Sequence, residues 1–265
     1  MSASRKDSRG RDRVRPGAVA AGPERPAVRR SLWPFVRSGA RFRYLLAALV
    51  TLLLTSPAVV DGRGWRVALG ASAGAVLVAS LHAAKPGRRV VAVGVALAAV
   101  DLAVGQLVFL EGGRWLVAVQ AALWLATLLY VTSAILFVTF RTRDVDVETL
   151  QAALCVYLMI GLMWVYVYAL ISLAAPGSFR IQGGRMPSWT DPQSRSAEFV
   201  RLLVFSFSTL SGSGRGDVTP ATGFACMCVN LESLSAQVYL AVVVARLVGM
   251  QAAGRQARTT AERDG

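Results

Sequence analysis

Residues 205–220 read FSFSTLSGSGRGDVTP and lie between two long apolar segments, 149–174 and 224–249. The first letters pattern as a short amphipathic helix, the middle as a glycine-alternating loop, and the end as a return toward the next apolar run. Irregular backbone is tolerated at membrane depth only where it is buried in protein or lines water. A Gly-rich loop at that place therefore points to a path for something polar.

The rest of the chain makes the membrane setting compulsory. Hydrophobic residues are 54% of the 265, and charged residues only 17%, too apolar a balance for an ordinary soluble domain. A helical span needs about 20 apolar residues. Six candidate spans follow, at 44–60, 65–83, 89–110, 115–138, 149–174 and 224–249. The expected fold is an all-α membrane protein of six transmembrane helices, with a re-entrant pore helix and filter loop between the last two. Its expected segments are a basic cytoplasmic tail (1–43), a four-helix bundle (44–140), a pore domain (149–250) and a short cytoplasmic tail (251–265).

The formal charge of +14 is a topology signal rather than a nucleic-acid footprint. Twelve of the 29 Lys and Arg precede Tyr44. Lys85, Arg88 and Arg89 fall between spans two and three, Arg141 and Arg143 between four and five, and Arg246, Arg255, Arg258 and Arg263 at or beyond the inner end of the last. With the amino terminus inside, the positive-inside rule is satisfied and both termini are cytoplasmic, in a multi-pass protein of the cell membrane. Attraction of anionic lipid to the basic tail is a by-product. No cleavable signal peptide is expected, because the first apolar run begins after some forty polar residues.

Catalysis has little material. There is one histidine, His82, and the three cysteines, Cys155, Cys226 and Cys228, all lie in candidate spans. Neither a disulfide framework nor a zinc site is indicated, no cofactor is expected, and no segment gathers a nucleophile with a base. None of the first four spans carries arginine at every third position, as a voltage sensor would. Asp101 is the one acid deep in those spans. It marks either a functional site or a hydrogen bond to a neighbour such as Gln106 or Gln120.

At residues 205–220 the chain resembles the pore region of the potassium-channel superfamily. That family's filter reads TVGYGD where this chain has Gly212, Ser213, Gly214, Arg215, Gly216 and Asp217. FSFSTL resembles the family's FSFVTL, Val218-Thr219-Pro220 its ITP, and LESLSAQVYLAVVVARLVG its inner helix LEALxGQLYLAxLxARLVG. The resemblance covers about Leu150 to Gly249. It implies a homotetramer, one filter segment per chain, with successive backbone carbonyls aimed at an axis and an ion, potassium in the family, as the permeant species. It makes Gly212, Ser213, Gly214, Arg215 and Gly216 the filter, and Thr209, Ser211 and Asp217 its flanks. Asn230, Glu232, Ser235 and Tyr239 would stand along the inner helix toward a water-filled cavity. The alternative for that helix is polar glue that faces only protein.

The departures are chemical. Gly212 replaces a threonine and removes a ring of hydroxyl oxygens; Ser213 replaces a valine; Arg215 replaces the tyrosine that packs behind the filter; and Ala236 stands at a frequent hinge glycine. Gly214 and Gly216 hold the family's glycine positions and can adopt positive φ at little steric cost. Two arrangements of Arg215 are open. It either turns from the axis to pair with Asp217, Glu198 or Glu232, or it rings the pore and favours anions. The resemblance thus implies a monovalent cation channel with altered selectivity. Its alternatives are an anion-permeable pore and a non-conducting, regulatory or binding relative.

Overall fold

The computed structural model describes residues 40–55, 88–141, 147–182, 184–186, 189, 192–214 and 216–263. Among them are six helices: α1 (Ala40–Thr55), α2 (Arg88–Glu111), α3 (Arg114–Arg141), α4 (Val147–Ala174), α5 (Pro192–Leu210) and α6 (Gly223–Arg263). Three of these are long and apolar enough to cross a membrane, over Arg114–Phe137, Val147–Ala174 and Gly223–Gly249. The apolar stretches of α1 and α2 are shorter, Phe42–Thr55 and Ala92–Val108. The protein is thus mostly helical with the spans of a membrane protein. The expected span at 65–83 lies outside the described residues.

Local chemistry sets the helix ends. α2 and α3 are joined by Gly112 and Gly113, with Gly112 at φ 62° and its N–H donating to the Val108 carbonyl at 3.1 Å. That left-handed residue lets the chain leave α2 and start α3 within two positions. Pro192 opens α5, where its missing N–H is no loss. Thr222 caps α6, its hydroxyl accepting the Ala225 N–H at 3.3 Å and its carbonyl the Cys226 N–H at 2.9 Å. At 1.5 Å per residue, the 41 residues of α6 extend about 60 Å, well beyond a hydrocarbon core of about 30 Å. The helix runs on past residue 250 into the segment expected as the short tail.

α4 is the centre of the packing and touches α1, α3, α5 and α6. Its fully buried side chains include Met159, Val165 and Tyr168. Around Tyr168 the rings of Phe179 and Phe205 stand 5.3 and 5.4 Å away, and 5.9 Å from each other. This aromatic cluster joins α4, α5 and the segment after α4.

The fold is not wholly helical. β1 (Phe179–Ile181), β2 (Gly184–Arg185) and β3 (Val218–Pro220) form a small antiparallel sheet in the order β2-β1-β3, with Phe179 opposite Pro220 and Ile181 opposite Val218. The connection between α4 and α5 is therefore partly structured. Ser178, Phe179, Trp189 and Ser196 are buried, and α5 begins at Pro192. Strands of two and three residues carry no readable alternation, and the closing of the sheet depends on β3, some forty residues away.

α5 approaches α4 most closely at Gly161, whose carbonyl accepts the Ser206 hydroxyl at 2.9 Å. A Cβ on Gly161 would stand 2.8 Å from the Phe207 ring, closer than such atoms come. Gly161→Ala is expected to cost about 1 kcal/mol, because only the far edge of the ring must tilt. The check is the thermal unfolding midpoint of the purified protein, where Gly161→Ala combined with Phe207→Ala should cost less than the sum of the two changes.

Candidate functional site: the 205–220 loop and the buried Glu232

The loop after α5 folds back along the helix it leaves. Gly212, at φ 70°, donates its N–H to the Thr209 carbonyl at 3.1 Å, and Ser213 N–H donates to the Ser208 carbonyl at 3.0 Å. This pair, one bond spanning three residues and one spanning five around a left-handed glycine, is a Schellman cap. Gly214, at φ 62°, brings its N–H to the same Ser208 carbonyl at 3.3 Å, and the Ser213 hydroxyl donates to it at 3.2 Å. Further on, Gly216 lies back against Phe205 and Ser208, at 3.4 Å and 3.7 Å from the Cβ it lacks. The chain then enters β3, where the Asp217 carbonyl accepts the Gln182 N–H at 3.0 Å.

Within the loop the positive-φ glycines are Gly212 and Gly214. The first closes the helix and the second turns the loop, while Gly216 takes no positive φ and lies at ordinary contact distance from the Phe205 ring. Ser211, Gly212, Ser213, Gly214, Gly216 and Asp217 are all exposed on the chain. Thr209 is half-buried, its hydroxyl donating to the Phe205 carbonyl at 2.9 Å. The Ser211 hydroxyl lies 3.2 Å from that of Ser213. Arg215 lies outside the described residues. Of the three acids weighed as its partners, Glu198 and Glu232 are fully buried within the chain and Asp217 is exposed.

Behind the loop, three helices meet at Glu232. Its Oε1 faces the Ser206 hydroxyl of α5, and its Oε2 accepts the Tyr168 hydroxyl of α4. All three side chains are completely buried. α4 also holds the end of α5 through the Tyr157 hydroxyl, which donates to the Leu210 carbonyl at 3.1 Å. Tyr239 turns to α4 as well, donating to the Ala153 carbonyl at 2.8 Å and stacking on Tyr157 at 6.4 Å. Ser235 donates within its own helix to the Glu232 carbonyl at 2.7 Å.

This arrangement corrects the expectation that Glu232 and Tyr239 face a cavity. Positions 228, 232, 236 and 239 form the stripe of α6 that packs on α4 and α5. The opposite stripe runs through Asn230, Leu234 and Gln237, all exposed. Polar residues at 230, 232, 233, 235 and 237 surround the helix, so composition alone could not choose between its faces. Sequence reading therefore missed Gly161, Tyr168 and Ser206. The available signal was the excess of hydroxyls on α4 and α5 that an inward carboxyl would need.

Asp101 is also buried. Thr127 of α3 donates to its Oδ2 at 2.9 Å, while the Gln120 amide donates to its backbone carbonyl at 3.2 Å. Gln106 is exposed and takes no part. The Asp101 Oδ1 accepts no hydrogen bond from the described residues. Thr127→Val is expected to cost about 1 kcal/mol by leaving the whole carboxyl unsatisfied, read as a lowered unfolding midpoint that Asp101→Val in the same chain restores.

No protein-family model, curated protein or solved structure matches this chain.

Proposed function

We propose that the chain is one subunit of a tetrameric pore-loop ion channel, similar to the potassium-channel superfamily, that passes monovalent cations through the loop at 211–216. The observation that carries this reading is the course of residues 192–220. α5 is not apolar enough to be a span of its own, and the loop after it runs back along it to a sheet that also holds the segment following α4. A helix followed by a loop that runs back along it, placed between two long spans, supports a re-entrant reading in which the exposed glycines would have protein or water around them.

The surface of α6 supports assembly. Asn230 and Gln237 stand exposed on a helix whose other outward residues, such as Phe224, Met227 and Leu231, are strongly apolar. Amides facing lipid are costly, so that stripe calls for water or neighbouring subunits. Selectivity for potassium is expected to be weak, because Gly212 contributes no hydroxyl oxygen and Arg215 stands in place of the family's filter tyrosine.

The test is the reversal potential of purified protein in liposomes under separate potassium, sodium and chloride gradients. The reading expects a potential that follows potassium and sodium alike. A potential that follows chloride would favour an Arg215 ring and an anion pore. No current in any gradient would favour a non-conducting relative.

A further inference from the structure

Three contacts meet where α6 touches α4 and α5, and each joins two oxygen atoms. Tyr168 Oη faces Glu232 Oε2, Ser206 Oγ faces Glu232 Oε1, and Ser206 Oγ also faces the Gly161 carbonyl at 2.9 Å. A hydrogen bond between two oxygens needs one proton. Tyr168 supplies one and Ser206 supplies one; a carbonyl and an ionised carboxylate supply none. With Glu232 charged, three contacts would share two protons, and one pair of oxygens would confront each other with lone pairs alone.

With Glu232 neutral the numbers agree. Its own O–H donates to Ser206 Oγ, the Ser206 O–H donates to the Gly161 carbonyl, and the Tyr168 O–H donates to Oε2. The surroundings point the same way. Glu232, Ser206 and Tyr168 have no solvent exposure. Among the described residues, the titratable groups facing the site are Tyr168 and Tyr157 from α4 and, beside Tyr168, Cys228 from α6; α5 contributes the Ser206 hydroxyl. None of these is a cation that could offset a buried negative charge.

We propose that Glu232 binds a proton as part of the folded structure, and that this proton latches α6 to both α4 and α5 directly behind the 205–220 loop. The latch does not depend on whether the chain conducts. It makes the contact between the last span and the loop-bearing helix sensitive to pH: present while Glu232 holds its proton, and weakened when alkali removes it.

Infrared difference spectroscopy on the purified full chain tests this. At neutral pH the wild-type protein is expected to show a carboxylic-acid C=O band that shifts on H/D exchange, persists in Asp101→Asn and is absent from Glu232→Gln. Raising the pH should remove that band and lower the unfolding midpoint. Glu232→Gln, whose amide N–H can donate to Ser206 in place of the acid, should lose the part of the pH dependence that accompanies the band. Should Glu232→Gln fail to fold, Ser206→Ala serves in its place, since loss of its acceptor is expected to shift the same band. The proposal is overturned if no neutral-pH acid band disappears in Glu232→Gln or shifts in Ser206→Ala. It is equally overturned if Glu232→Gln and wild type lose stability in parallel as the pH rises.

Discussion

Glu232→Ala is expected to destabilise the protein by about 2–4 kcal/mol, the largest effect of any single change considered. The substitution empties a fully buried position and strands the Tyr168 hydroxyl without an acceptor, while Ser206 keeps the Gly161 carbonyl. A buried unsatisfied hydroxyl costs about 1–3 kcal/mol and the void adds to it. The readout is the thermal unfolding midpoint in detergent, taken as a ranking because such unfolding is often irreversible. Combining Glu232→Ala with Tyr168→Phe should cost less than the sum of the two changes, since the second removes the group that the first leaves stranded. Strict additivity would mean that the two side chains do not act together.

Gly212→Thr is the second large change, and its direction runs against simple resemblance. Threonine is the residue that the potassium-channel family has at this place, so restoring it would be expected to repair a filter. Here Gly212 sits at φ 70° as the left-handed residue of the cap that ends α5. A β-branched side chain in that conformation costs about 2 kcal/mol. The cap fixes Ser213, and the Ser208 carbonyl that closes it also receives Gly214. Gly212→Thr is therefore expected to lower both the unfolding midpoint and any ion flux, whereas Gly212→Asn, which tolerates the left-handed region, should be milder. Unchanged stability with sharper potassium selectivity would show that the loop relaxes into the family's extended form.

The three long spans were legible because each is a continuous apolar run: expected bounds of 149–174 and 224–249 compare with a helix over Val147–Ala174 and a span over Gly223–Gly249. The start of α5 was not legible, because Pro192 as a first helical residue looks the same as a proline in a loop. Nor was the sheet, whose strand Val218–Pro220 reads only as the tail of a motif until β1 is seen beside it. At the site, the loop glycines were visible but their roles were not. Alternating glycines announce unusual backbone without saying which residue takes positive φ and which does not. Glu232 was visible as an acid in a span, yet its inward direction was set by Tyr168 and Ser206, hydroxyls 64 and 26 residues away in the chain.

The central claim is that ions pass along the 211–216 loop. It is tested most directly by flux through liposomes carrying Ser213→Cys in a Cys226→Ser background, before and after a water-soluble thiol reagent. Ser213 is exposed on the chain, and Cys226 is the exposed native thiol that must be removed first. The account predicts cation flux that the reagent blocks, and no block in the Cys226→Ser parent. Flux that persists after complete labelling of Ser213→Cys would contradict it, because ions would then be crossing without passing the loop.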